Sequence, residues 1–535
     1  MEKTTSSSST PRTKAKASDL QMSFSGFDGL TEDLLFNILA RLPAQSFASA
    51  ACVTKSWNHI CKRVLSRPKL ASALSLKPSL PEALDDVFDK VLSGPIRPHF
   101  ALANVGSGFE LPMTLKLIRK KLGCLVPVIV SVANGIIGRD ALTDELKEVK
   151  WGALFSGLSD EAYARNINEG IVLTIGYFPG LEVDVIPLVR PSKTPLESAI
   201  DKFVMDVKEY SASVSSCSFP VGIILFGEGS SDMKPVMEKL DYAMPNDTFI
   251  VGDERGCFTY RSGNDSRNAH ARAGYLEAVA LVFAQDRDRS SATGEIKFHV
   301  ALSNGVLPVG GKYKTVSVRT SSTESSTWLT ARRDGQREIL DGQRILNEIN
   351  NELPNQIEPP DLYIGVSKQR KISIGEEKPS HRSFISFHGV VGGDEEYLYV
   401  DGIGIRTGDI FQFYHSDCNT AIATSAKVHD ELKKIKLEAN SLKGDVDNAT
   451  NVFGGFVFAC YGRGETFFGR PNVDSSPFSE NFRGVPFSGL FCGGELARSC
   501  STVNDEFERE SCVSCCLHVY STVYLVMSYT PPVEY

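Results

Sequence analysis

Residues 30–43, LTEDLLFNILARLP, and residues 53–60, VTKSWNHI, are the stretch on which the reading of this chain turns. Thr31 can cap a helix, and Glu32 and Asp33 occupy its first turn, where the helix dipole favours negative charge. Leu34, Leu35, Ile38, Leu39 and Leu42 follow at offsets of 1, 4, 5 and 8 from Leu34, which gathers them on one side of that helix. Pro43 stops it. Ser46 can open a second helix through Phe47, Ala50 and Ala51, and a third carries Trp57, Ile60, Cys61, Val64 and Leu65. Fewer than about forty residues of this kind bury too little surface to be stable alone, so the apolar faces need a partner. Leu30, Val53 and Ile60 complete the set of apolar anchors around the double leucine.

Working outward, the chain has 535 residues and a net charge of −8, with 42% hydrophobic and 23% charged residues, so ordinary globular cores are expected and wholesale disorder is excluded. The balance gives no global basic field for a phosphate backbone, and nucleic-acid binding is not expected. Residues 1–27, rich in Ser and Lys with little to bury, read as a disordered tail. A Pro-punctuated stretch, 68–96, reads as a linker. Twelve cysteines are too dilute for a disulfide scaffold, no secretory signal is evident, and no run of about twenty apolar residues occurs. These features point to a reducing compartment, the cytoplasm or nucleus, and away from a membrane.

Beyond the linker, strands alternate with helices. Phe100 to Ala103, Leu125 to Val132, Ile171 to Tyr177, Leu181 to Pro187, Val221 to Phe226 and Thr248 to Gly252 read as buried strands. Leu111 to Leu122, Leu142 to Lys147, Lys193 to Tyr210 and Lys234 to Tyr242 read as helices. From Tyr275 the texture turns to β, with a Ser/Thr loop at Thr320 to Thr327, a helix at Asp341 to Asn351 and a long charged helix from Ala426 to Leu442. The fold class is therefore an αβ layered, α+β body in two parts, preceded by three short helices.

The opening helical stretch resembles an F-box, on the strength of Leu34/Leu35, Ile38/Leu39, Leu42 with Pro43, and Val53, Lys55, Trp57 and Ile60. The resemblance implies binding to a Skp-type adaptor and, through it, attachment to a cullin–RING ubiquitin ligase. It assigns Leu30, Leu34, Leu35, Ile38, Leu39, Leu42, Pro43, Val53, Trp57 and Ile60 to the adaptor interface, within an F-box of residues 28–67. Thr31, where the family has proline, and an Ala-rich second helix imply weaker adaptor binding than average.

The remainder resembles the FIST sensory region, most specifically in FVFACYGRGETFFG (456–469) and FSENFRGVPFSGLFCGGEL (478–496). The resemblance implies a FIST N-terminal domain at 97–330, a FIST C-terminal domain at 331–500 and a C-terminal segment at 501–535. Bacterial relatives are regarded as sensors of small ligands such as amino acids. In the Gly-rich stretch a guanidinium can clamp a carboxylate and a carboxylate can hold an ammonium. Arg463, Glu480 and Glu495 are thus candidate contacts for an amino-acid-like ligand, the alternative being that Arg463 pairs with one glutamate across a tight turn.

Other motifs fall short of chemistry. GVLPVGGKY (305–313) has Gly311 where a phosphate-binding loop needs lysine, and Gly227-Glu228-Gly229 lacks the third glycine of a dinucleotide fingerprint. Cys500, Cys512, Cys515 and Cys516 cluster with His518, but only Cys512-x-x-Cys515 matches half of a zinc knuckle, its flanks are apolar, and the cysteines read as structural thiols rather than metal ligands. No catalytic nucleophile, base or cofactor is nominated. Two roles follow: a non-catalytic substrate-recognition subunit of a ubiquitin ligase whose body holds a target, or a ligand sensor whose F-box is idle.

Overall fold

The computed structural model describes residues 31–151, 168–229, 231–270, 274–290, 293–321, 325–353, 360–373, 380–441, 450–500 and 514–532. The expected tail and Leu30 lie outside them. Three helices, Glu32–Leu39, Ala44–Ala51 and Lys55–Val64, open the chain. Two β-sheets then pack face to face, with helices on both outer faces, and a barrel is inserted in the chain between their strands.

Period-two alternation builds the sandwich. On the strand Phe100–Val105, Phe100 and Leu102 enter the core between the sheets, while Ala101 and Ala103 face the helices Leu80–Val91 and Leu111–Leu122. On Tyr275–Gln285, Val279, Leu281 and Phe283 point inward, and the alternate residues pack under Leu196–Val214 and Lys234–Ala243. The opposing sheet runs in the order Glu295–Asn304, Ser521–Thr530, Asn451–Cys460, Phe487–Cys492, Gly135–Arg139, Leu146–Lys150. Its Val523, Leu525 and Met527 fill the same central core, and Tyr524 and Val526 pack under the helices Cys418–Ser441 and Ser476–Asn481. No helix among the described residues is long and apolar enough to cross a membrane.

The two halves interlock. Gly135–Arg139 and Leu146–Lys150 join the sheet built from C-terminal strands, and Glu495–Cys500 pairs with Phe249–Arg261 in the other sheet. The strand Ser521–Thr530, in the expected C-terminal segment, is an inner member of its sheet.

Six strands close on themselves into a barrel. Val306–Ser321 pairs with Ser326–Arg333 on one side and Ile410–Ser416 on the other; Leu362–Ile372, Ser380–Gly393 and Leu398–Asp401 complete the ring. Tyr313, Leu329, Val366, Phe411 and Phe413 fill its interior, and Ile345 and Ile349 of the helix Gly342–Glu352 pack into the same cluster. The expected boundary at 330/331 therefore cuts through one closed sheet and marks no structural break.

Two further expectations need correction. Residues 68–96 are not a linker: Lys69–Ser75 pairs with Ile171–Tyr177, and Leu80–Val91 buries Leu84, Val87 and Phe88. Leu142 to Lys147 is not a helix. The Asp140 carboxylate accepts from the Leu142 and Thr143 amides at 3.0 Å each, closing a turn that feeds the strand Leu146–Lys150. Leu142 itself points to solvent.

Candidate functional site: the outward face of the N-terminal helices

Each outer helix of the N-terminal bundle has a side-chain cap. Thr31 Oγ1 accepts from the Leu34 amide at 3.4 Å, and Thr54 Oγ1 accepts from the Trp57 amide at 3.1 Å. Arg63 ties the third helix to the first through Glu32 and lies 5.6 Å from the Phe36 ring centroid. Leu35, Leu39, Phe47, Ala50, Ile60, Cys61 and Val64 form a small core, with Leu42 and Trp57 half-buried at its margin.

The double leucine is divided by one helical step of about 100°. Leu35 and Leu39 turn inward, Leu39 with no exposure at all, while Leu34 and Ile38 stay 48% and 43% exposed. Being four residues apart, these two stand one above the other. Val53, in the turn before the third helix, is 60% exposed, and Pro43 is also at the surface. The bundle touches the body lightly: the Ala44 amide donates to the Leu92 carbonyl at 3.0 Å and the Tyr529 hydroxyl to the Ser66 carbonyl at 3.4 Å. It thus holds together through its own core and still presents an apolar strip to solvent.

The residues expected to clamp an amino-acid-like ligand are placed otherwise. Arg463 is fully buried and committed to its own chain. Its Nε pairs with Asp474 at 2.9 Å, Nη1 donates to the Ser303 and Tyr520 carbonyls, Nη2 donates to Ser303 Oγ, and Phe468 lies 5.1 Å away. The partner is an aspartate rather than either glutamate, and burial keeps the guanidinium away from a ligand carboxylate arriving from solvent. Thr522 and the Arg463 guanidinium share the same Asp474 oxygen. No sequence spacing signals this pairing.

Glu495 is also fully buried, on the other side of the Tyr520–Ser521 turn. Ser521 donates to its carboxyl through both its amide and its hydroxyl, and the Cys460 thiol lies against it. Burial pushes its pKa up to about 8, so at neutral pH it is mostly uncharged and is no counter-ion for an ammonium. Directly opposite on the neighbouring strand stands Asp253, likewise raised to about 8 by burial. Glu480 is exposed on the short helix Ser476–Asn481 and lines a surface depression of about 530 Å³ with Lys436 and Arg483, a lining that includes neither Arg463 nor Glu495. The three residues do not converge on one site.

The remaining motifs are structural. GVLPVGGKY forms part of a barrel strand. His518 is buried, with Nε2 3.1 Å from the Ala497 carbonyl, an acceptor that requires Nε2 to carry its proton. Cys512 and the side chains of Cys500, Cys515 and Cys516 lie outside the described residues.

A family model for the F-box domain matches residues 27–69, and one for the FIST C domain matches residues 381–498. The chain is 45% identical over 506 residues to an F-box/LRR-repeat protein of Arabidopsis thaliana, an alignment covering 94% of this chain and 93% of that protein. Leucine-rich repeats appear in that protein's name; the described residues here form a sandwich and a barrel rather than stacked repeats.

Proposed function

Because the chain belongs to the F-box protein family and carries a FIST C domain, we propose that it is the substrate-recognition subunit of a Skp–cullin–F-box ubiquitin ligase, its sandwich and barrel holding a target protein. One observation carries this reading: Leu34, Ile38 and Val53 remain outside a bundle whose own core is already filled by Leu35, Leu39 and Ile60. A helical strip with this composition is what an adaptor buries. The chain supplies position: holding a target lysine near the charged ubiquitin carrier turns an encounter into a local event. It works in the reducing cytoplasm or nucleus, in keeping with the free thiols of Cys52, Cys61, Cys124, Cys217, Cys257, Cys418, Cys460 and Cys492.

The test is affinity purification of the tagged full chain from cells that express it. Adaptor and cullin are expected with the wild type and absent with Leu34→Glu/Ile38→Glu. Recovery of neither with the wild type would overturn the ligase reading and leave the sensor with an idle F-box.

A further inference from the structure

The barrel carries an aromatic and basic outer face. Along Ser326–Arg333, Thr327, Leu329 and Ala331 are fully buried, so Trp328, Thr330 and Arg332 point outward. The register extends this face across three strands: Arg319 stands opposite Trp328, and Trp328 opposite Tyr399. The Trp328 ring meets Tyr399 edge-on with centroids 5.5 Å apart and lies 6.4 Å from Tyr397, over which Arg319 sits at 5.0 Å. The solvent side of an antiparallel sheet is ordinarily polar. Here it holds Trp, Tyr and Arg, the side chains that dominate binding energy at protein interfaces.

Charge selects the partner. Between Val306 and Arg333 the sequence has Lys312, Lys314, Arg319, Arg332 and Arg333 against Glu324 alone, on a chain whose net charge is −8. Arg333 is engaged by Glu348 at 3.1 Å, whereas Lys314, Arg319 and Arg332 make no ion pair among the described residues. An acidic segment is therefore repelled by the molecule at large and attracted to these three side chains, which lie across the face from the carboxylates of Asp394, Glu396 and Asp401. A nucleic-acid strand fits less well, because its uninterrupted phosphates would meet the exposed Asp394, Glu395 and Glu396 beside Tyr397, whereas a polypeptide can set its carboxylates against the basic side chains and uncharged residues beside that run.

We propose that this outer barrel face is the target-docking surface and that it takes an acidic polypeptide segment bearing an aromatic side chain, which packs on Trp328 and Tyr399 while its carboxylates meet Arg319, Arg332 and Lys314. The proposal rests on the receptor reading above and adds the surface and the class of target.

The experiment titrates the full chain into three fluorescein-labelled peptides of equal length and aromatic content, rich in Glu, Gln or Lys, with an oligothymidylate of matching length alongside. The Glu-rich peptide is expected to bind best and to weaken as salt is added. Its affinity should fall roughly tenfold or more in Trp328→Ala and in Arg319→Glu/Arg332→Glu. The charge-reversed pair sits on the outer surface and is expected to melt close to the wild type, which the same experiment checks by melting temperature, so it decides the matter if Trp328→Ala misfolds. Equal binding of the Lys-rich peptide, undiminished binding by Arg319→Glu/Arg332→Glu, or tighter binding of the oligothymidylate would each overturn the proposal. Adaptor binding measured on the same variants separates the two readings: if the adaptor binds and the peptides fail, only the docking surface is lost, whereas a wild type that fails to bind adaptor loses the receptor role.

Discussion

Truncating the exposed pair Leu34 and Ile38 together should damage adaptor binding while leaving the fold intact. Complete burial of a Leu or Ile side chain is worth about 1.5–3 kcal/mol. With 48% and 43% of these residues still exposed, close to half of that remains for a partner to collect, roughly 1 kcal/mol each. Leu34→Ala/Ile38→Ala is thus expected to weaken the complex with a purified Skp-type adaptor by about 2 kcal/mol, roughly 30-fold, in isothermal titration calorimetry. The melting temperature should hardly move. Leu39→Ala is the contrasting case: that side chain has no exposure, and its loss costs about 2–5 kcal/mol of folding energy in a very small core. It should abolish binding by melting the bundle, seen as lost hydrogen-exchange protection at Glu32–Val64. A double variant that binds within twofold of the wild type, or that loses protection as Leu39→Ala does, would refute this division of labour.

The remaining predictions concern the body and the caps. Arg463→Met leaves Asp474 buried without its counter-charge and should cost about 3–5 kcal/mol in urea unfolding, with much of the loss recovered in Arg463→Met/Asp474→Leu. Asp253 and Glu495 have folded-state pKa values raised to about 8, so the folded chain holds protons that the unfolded chain releases. Their contribution is complete below the ordinary carboxylate range and lost once the pH passes about 8, with a slope of at most ~1.4 kcal/mol per pH unit for each group. The melting temperature should accordingly fall between pH 5 and 8, and Glu495→Gln should flatten that fall; an unchanged slope in Glu495→Gln would discard the assignment. Thr54→Ala removes the cap on the third helix and should cost about 1 kcal/mol of bundle stability, read by hydrogen exchange.

What the sequence made legible is what local physics determines. The N-terminal helices carry their caps and their apolar spacing within a few residues, and Leu111–Leu122, Ile171–Tyr177 and Lys234–Ala243 lie where periodicity puts them. Offsets alone placed Leu34, Leu35, Ile38 and Leu39 on one side; only the packed neighbours decide that Leu35 and Leu39 face the core and Leu34 and Ile38 face out. The barrel was out of reach because its closure depends on pairings such as Trp328 with Tyr399, far apart in the chain and silent in composition. Arg463 illustrates the same limit. Its charge suggested a ligand, and its actual partner, Asp474, sits in a turn with no periodic signal and is held by Thr522 from another strand.

The central claim, that the exposed strip of the N-terminal bundle is occupied by an adaptor, is tested most directly by mixing the purified full chain with a purified Skp-type adaptor and measuring mass by light scattering during size-exclusion chromatography. The account predicts one species with the combined mass of one copy of each, replaced by two separate peaks with Leu34→Glu/Ile38→Glu. Separate elution of the wild-type chain and the adaptor, or a complex indifferent to that substitution, would contradict it.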